Sequence, residues 1–275
     1  MKIPLEDNYA DILSKARRGI GLDVGTLSIR AGLSAALTDQ ILGGSFNEPG
    51  VRALAGVLNL HPDRLAAIGR TDYRPAEIAL MDGLSQFNTP FEDMTVNSYL
   101  VWDPGSKKAV AFDTGADCDG MLDAIDARDL KLELVLLTHS HGDHILELDR
   151  LKERTGAQAW INEREPVTGA QSFVVGHKFR VGSLAIETRS TWGHSPGGVT
   201  YVVRGLARTV AIVGDAIFAG SMGGGGVSYQ DALKTNRENI LSLPDETVLC
   251  PGHGPLTTVG EQKKVNPFFP ELGKD

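Results

Sequence analysis

Residues 138–151 read THSHGDHILELDRL. Three histidines, His139, His141 and His144, stand around Asp143 directly behind the apolar run LELVLLT at 132–138. A β-branched and leucine-rich run bounded by charge reads as a buried strand, and the spacing over 143–155 reads as a helix. An extended exit from the strand aims His139 and His141, two residues apart, to one side. Asp143 and His144 then open the helix, where they are expected to cap its free N–H groups. Taken alone, the hexapeptide leaves two readings open: a metal site, or histidines with structural or surface roles.

Three further segments bear on the choice. STWGHSPGGVTY (190–201) sets His194 behind an apolar strand and before a glycine turn. TVAIVGDAIFAG (209–220) sets Asp215 at the end of a β-branched strand, and TVLCPGHGP (247–255) sets His253 in a Gly-His-Gly turn after another. Each is a ligand-type side chain at a strand end beside glycine, where the backbone can turn and present it to a cleft. Five of the seven histidines are then accounted for, and His61 and His177 are read as surface residues. Imidazole and carboxylate donors suit zinc, iron or manganese, and no thiolate in the set forces zinc.

With these segments together, the chain resembles the metallo-β-lactamase superfamily over about residues 85–270. The HxHxDH pattern lies at 139–144, and His194, Asp215 and His253 follow in order. GHSPGGVTY, GDAIFAGSMG and LPDETVLCPGHGPLTTVGEQKKVNPFF look most like glyoxalase II-type hydrolases of the short bacterial sort. The resemblance implies an α/β fold, a four-layer αββα sandwich with two divalent metal ions at one edge, zinc first among the candidates. It implies His139, His141 and His194 on one ion, Asp143, His144 and His253 on the other, and Asp215 bridging, with Asp143 also catalytic. The implied activity is a metal-dependent hydrolase in which a metal-bound hydroxide cleaves a thioester or ester. A mononuclear-iron persulfide dioxygenase, using the counterparts of His139, His194 and Asp215, and a lactonase are the alternative enzymes.

Three departures from the glyoxalase II pattern put glutathione recognition in question. The sequence given ends soon after His253, short of a C-terminal helical domain. GGGG at 223–226 replaces the group's GRTD, and Trp192 stands where the group often has proline.

The first 70 residues have a different grammar. Helical spacing recurs in YADILSKARRGIG, LDVGTLSIRAG, SAALTDQILGG, EPGVRALAGVLNL and HPDRLAAIG, and Pro49 marks the start of the fourth helix. The segment LDVGTLSIRAGLSAALTDQILGG resembles a helix-turn-helix of the Cro/phage-repressor type. Leu27, Gly32, Leu33, Ser34, Ile41 and Gly44 stand at its packing, turn and capping positions. That resemblance implies DNA reading by the second helix, 34–43, through Ser34 and Gln40. Yet SAALTDQILG has no Arg or Lys and carries Asp39, so a helical packing or dimerisation module stands as the other reading.

The domain division is therefore 1–70 helical, 71–84 linker, and 85–275 catalytic. Residues 1–70 carry eight Lys/Arg against seven Asp/Glu, while the remainder carries 19 against 28. An acidic large domain argues against binding phosphate backbones or anionic membrane surfaces there. No apolar run reaches the roughly 20 residues needed to span a bilayer. Cys118 and Cys250, the only cysteines, give no disulfide framework and read as small buried hydrophobes, consistent with a cytoplasmic protein. FDTGAD, with Asp113, reads as a strand-end turn, and GSMGGGG (220–226) as a flexible loop at the site mouth.

Overall fold

The computed structural model describes residues 3–79 and 81–273. Five short helices come first: α1 (Tyr9–Gly19), α2 (Val24–Ala31), α3 (Ala35–Leu42), α4 (Glu48–Val57) and α5 (Pro62–Gly69). Their starts follow from side chains that satisfy first-turn N–H groups. Asn8 forms a capping box with Asp11, Asp23 accepts from Thr26, Ser34 from Leu37, and Asn47 from Gly50 ahead of Pro49. Gly32, at φ +68°, ends α2 in the left-handed region.

Two six-stranded sheets follow. The first runs in sequence order through β1 (Leu84–Phe91), β2 (Met94–Trp102), β3 (Lys108–Phe112), β4 (Lys131–Leu136), β5 (Gln158–Asn162) and β6 (Gln171–Phe173). Helices α6 (Asp119–Arg128), α7 (Gly142–Ile145) and α8 (Leu148–Thr155) connect its parallel strands. The second orders β7 (Lys178–Val181), β8 (Leu184–Ser190), β9 (Val199–Arg204), β10 (Val210–Gly214), β11 (Val248–Pro251) and β12 (Thr257–Thr258) side by side. Helix α9 (Tyr229–Asn239) joins β10 to β11, and α10 (Val259–Val265) follows β12.

Strand alternation divides the apolar residues into layers. Tyr99, Val101, Phe112 and Leu136 of the first sheet meet Ile186, Tyr201, Val203 and Ile212 of the second in one core. The outer face of the first sheet packs Leu100, Ala111 and Val135 under α6 and α8. On the outer face of the second sheet, Val202, Ala211, Val213 and Leu249 pack with Ala232 and Leu233 of α9. The four-layer arrangement is the expected one.

The outermost layer is larger than a two-helix cover. Ile12, Leu13 and Ala16 of α1, Leu54 and Ala55 of α4 and Leu65 of α5 belong to that same continuous core, together with Phe268 and Phe269. Polar contacts reinforce the packing. The Arg64 guanidinium donates to the Asn266 and Phe269 carbonyls at 3.0 and 2.9 Å, and Lys15 Nζ donates to the Met222 carbonyl at 3.0 Å. The helices thus bury their apolar stripes against the β-sandwich as well as against one another. Asp39 and Gln40 of α3 remain exposed.

Some elements differ from the sequence reading. The helix expected over 143–155 is two, because Thr114 enters its backbone ladder. The Thr114 N–H donates to the His144 carbonyl at 2.8 Å, and its hydroxyl accepts the Glu147 N–H at 3.1 Å. Helix α9 ends at Asn239, where Ile240 and Leu241 both donate to the Asn236 carbonyl. Strands β1, β6, β7 and β12 carry mixed polar sequences that periodicity did not single out.

Leu13 is fully buried in this shared core. Leu13→Ala is expected to cost about 2–5 kcal/mol. Chemical denaturation followed by far-UV dichroism and by tryptophan fluorescence should shift as one coincident transition, since the three tryptophans lie outside the helical segment. A helical transition that moves while the tryptophan transition stays fixed would show the layers to be independent.

Candidate metal centre

Strands β3 and β4 are parallel; β8 and β10 each run antiparallel to β9, and β11 runs parallel to β10. The carboxyl ends of β8, β10 and β11 therefore open at one edge of the second sheet, those of β3 and β4 at one edge of the first. His139 and His141 follow β4, Asp143 and His144 lie in α7, His194 follows β8, Asp215 follows β10, and His253 follows β11. Backbone bonds hold the two edges together. Val199 N donates to Thr138 O at 3.0 Å and Asn97 N to Gly252 O at 2.7 Å, while Gly252 N donates to Gly214 O at 2.8 Å within the second sheet.

The seven side chains form two groups whose donor atoms lie within 4.8 Å of one another: His139, His141, His194 and Asp215 in one, Asp143, His144 and His253 in the other. In the first, His141 Nδ1 is 3.0 Å from His139 Nε2 and 3.1 Å from His194 Nε2. In the second, Asp143 Oδ2 is 3.3 Å from His253 Nε2 and 3.5 Å from His144 Nε2. The Asp215 carboxylate reaches both. Its Oδ2 is 3.4 Å from the Nε2 atoms of His194 and His253, and its Oδ1 is 3.3 Å from His144 Nε2. The structure thus brings together every residue expected at the metals; Ser34 and Gln40 stay on the helical segment.

Two features fit the donor set to cations. His144 Nε2 and Asp215 Oδ1 are buried and make no hydrogen bond, a costly state for polar atoms unless an ion takes them. The backbone also leaves room at that point: a Cβ on Gly252 would lie 2.2 Å from Asp215 Oδ1 and 2.6 Å from His144 Cε1. The β10–β11 register shifts between Ile212 and Gly214, immediately ahead of Asp215. A bulge there re-aims the following side chain.

The outer ring nitrogens are held as well. His144 Nδ1 lies 2.8 Å from Asp113 Oδ2, His139 Nδ1 3.0 Å from Thr138 Oγ1, His194 Nδ1 2.9 Å from the Gly224 carbonyl, and His253 Nδ1 2.7 Å from the Thr95 carbonyl. Such partners fix the ring that faces a metal and raise its basicity. Asp113 also accepts from the Thr138 N–H at 2.7 Å and its hydroxyl at 2.8 Å. It is a strand-end turn residue, at φ +53°, but it also orients His144, a role the sequence reading missed. Its only signal was a carboxylate at a strand end, the same signal that pointed to Asp215.

Three further expectations are corrected. His141, not Asp143, occupies the N-cap of α7, and no side chain caps that helix; the Asp143 carboxylate turns to His144 and His253 instead. The glycine run is a mouth loop only in its second half, where Gly224 and Gly225 are half-buried and Gly226 is exposed. Ser221, Met222 and Gly223 are buried, and a Cβ on Gly223 would meet the Asp215 carbonyl oxygen at 1.9 Å. His177 is exposed as expected, whereas His61 is half-buried at the start of α5.

Without metal, charge in this pocket is shared among its own groups. Burial alone would raise Asp215, but the adjacent His144 and His253 imidazoles hold its carboxyl well below the usual carboxylate range. Burial likewise opposes protonation of His144 and His253, yet Asp215 and the other neighbouring carboxylates outweigh it and raise them to about 10 and about 11. His139, buried among other imidazoles, is pushed well below the ordinary histidine value.

The sequence profile of the Metallo-beta-lactamase superfamily matches residues 92–253, more than half of the chain. The chain belongs to the metallo-β-lactamase superfamily. Hydroxyacylglutathione hydrolase GloC of Haemophilus influenzae is 28% identical over 198 residues, spanning 63% of this chain and 92% of that protein. Among solved structures, ETHE1 from Myxococcus xanthus is similar with 26% identity and a TM-score of 0.60, over 68% of this chain and 85% of that one. The di-iron-bound form of TTHA1623 has 25% identity and a TM-score of 0.54, over 66% and 99%. Members of this superfamily are metallo-hydrolases, and the His/Asp cluster is in keeping with divalent metal ions.

Filling the second group near pH 7 requires both raised imidazoles to lose their protons. Divalent ion binding to the metal-free protein is expected to release about two protons there. Calorimetric titration with Zn²⁺ in buffers of different ionisation enthalpy should show that release. An apparent enthalpy independent of the buffer would contradict it.

Proposed function

We propose that the protein is a dinuclear hydrolase of thioesters or esters. The observation that carries this reading is the Asp215 carboxylate, within 3.4 Å of donors from both groups. His139, His141 and His194 would hold one ion and Asp143, His144 and His253 the other, with Asp215 between them. Bound divalent ions would supply a water acidic enough to attack at neutral pH and a Lewis acid for the scissile carbonyl. Zinc is the first candidate, with iron or manganese accepted by the same donors.

The chain's own residues shape the rest. His141 is exposed and His194 partly so, whereas His144 and His253 are buried, so a substrate reaches the site from the His141 and His194 side. Asp143 serves both as ligand and as the carboxylate that takes up the proton of the attacking water. Asp113, Thr138, Gly224 and Thr95 hold the imidazoles so that they need not reorganise as charge develops.

The relationship to a hydroxyacylglutathione hydrolase supports thioesters as the substrate class. GGGG at 223–226 carries neither the arginine nor the aspartate of a GRTD segment, although a Cβ on Gly224 would meet nothing within 4 Å. This loop can offer a substrate only backbone groups, so the acyl part, rather than glutathione's carboxylates, sets the preference. A mononuclear-iron persulfide dioxygenase is the competing reading, supported by the likeness to ETHE1. The complete Asp143, His144 and His253 group weighs toward the hydrolase.

Elemental analysis beside a panel of thioesters, esters and lactones tests this. Two ions per chain and thioester cleavage are expected, with Asp215→Ala losing the second ion and nearly all activity. One iron per chain with oxygen uptake and sulfite production would sink the hydrolase reading, and an Asp215→Ala variant that keeps two ions would sink the bridge.

For the helical segment, packing accounts for more than DNA reading does. The α2–α3 pair has the turn glycine and capping serine of the resembled motif, but α3 carries Asp39 beside Gln40 and no cation. Gel retardation with the DNA flanking its own coding region is expected to show no salt-sensitive shift at micromolar protein. Such a shift, lost in Gln40→Ala, would restore the DNA-binding reading.

A further inference from the structure

Glu165, in the turn after β5, contributes no donor to either metal group, yet it is only 6% exposed. Burying a carboxylate is expensive unless its charge is met. No ion pair to Glu165 occurs among the described residues, and the neighbouring Arg164 guanidinium lies over the Trp192 ring at 5.9 Å instead. The groups that pack on Glu165 belong to the loop carrying His194. The Ser195 hydroxyl, next to His194, donates to its Oε2 at 3.2 Å. Burial pushes the carboxyl up, while Ser195 and the backbone N–H groups of Gly197 and of Ser140, which lies between His139 and His141, favour its charge.

The rest of that turn is built to the same end. Asn162 Nδ2 donates to the Gly197 carbonyl at 2.9 Å, and its Oδ1 accepts the Arg164 N–H at 3.2 Å. A Cβ on Gly197 would lie 3.0 Å from Glu165 Cγ, so the loop is pressed onto the carboxylate stem. The turn comes from the first sheet and the His194 loop from the second. The His194 ring itself meets a backbone carbonyl of the glycine run.

We propose that Glu165 is the positioning residue of the first metal group: its buried carboxylate holds the 194–197 loop against the turn after β5, so that His194 meets His139 and His141 on one ion. The proposal rests on the two-group metal reading above and names a residue outside the ligand set that governs one half of it. A carboxylate that merely stabilised the fold would affect both groups alike. One that positions the His194 loop affects only the ion held by the trio.

The test is stepwise Zn²⁺ binding to the metal-free full chain against a chromophoric chelator, with the Co²⁺ absorption spectrum as a second readout and the metal-free unfolding midpoint as a control. Variants His194→Ala and His253→Ala, each lacking one donor, assign the two binding steps to the two groups. Glu165→Ala is expected to weaken the first-group ion by about 10–100-fold and leave the other within about three-fold, with an altered Co²⁺ spectrum. Glu165→Gln, which keeps an acceptor for Ser195, should fall between wild type and Glu165→Ala. Equal weakening of both ions, or no weakening of either, overturns the proposal. Should Glu165→Ala fail to fold, Ser195→Ala removes a single contact, and an unchanged first-group affinity there overturns it equally. A wild type that binds one ion only would overturn the two-group reading; retention of that ion's affinity in Glu165→Ala would overturn this proposal as well.

Discussion

The Asp215 carboxylate is the point at which the two halves of the structure have to agree. It is buried at the end of β10, 8% exposed, and charge in such a place is tolerated only among opposite charges or metal ions. In the metal-free protein His144 from the first sheet's side and His253 from the second supply that compensation. Both imidazoles must therefore arrive within 3.4 Å of one oxygen pair from segments more than 100 positions apart. The register shift before Gly214, the missing side chain at Gly252, and the backbone bonds across the sheet edges all serve that convergence. Each would be an odd local choice for a sandwich with no site at its rim.

The ligands were legible because each one combines three local signals: an apolar strand, a ligand-type side chain at its end, and a glycine that lets the chain turn. Asp113 shares those signals, behind β3 and two residues before Gly115, but what the orienting residues bond to is not local. Asp113 is 25 positions from Thr138 and 31 from His144, and Glu165 is 30 from Ser195, so nothing near them in sequence announces the partner. The break between α7 and α8 was hidden for the same reason. Residues 143–155 have the composition of one helix, and what divides them is Thr114, an insertion from another strand end. Local pattern reports what a segment prefers; these features record what a distant segment imposes on it.

The helical segment shows the same limit on a larger scale. Periodicity located all five helices, because capping residues and apolar stripes are local properties. It said nothing about what the stripes face. The faces of α1, α4 and α5 turn out to share a core with Val202, Ala211 and Val213, on the strand face opposite the one that packs against the first sheet. The segment lies outside the matched span of the superfamily, yet it supplies much of the cover for the second sheet. Even the site is reached from this side. Pro4 and Glu6 lie against Gly254, and Glu6 Oε2 is 4.0 Å from His253 Nδ1.

These restraints are unevenly distributed between the two metal groups. In the second group, His144 and His253 are inaccessible, with outer nitrogens fixed by a buried carboxylate and a strand carbonyl. In the first, His141 is exposed and His194 is 20% exposed, and the rings stand on loops rather than on strand backbone. A rigid, enclosed group loses little entropy on taking an ion and admits little else. An open group on tethered loops must be held from behind if it is to keep its geometry while a substrate enters from the front. The proposed role of Glu165 is that support. It stands behind the His194 loop, while Asp113 serves His144 directly and His139 through Thr138.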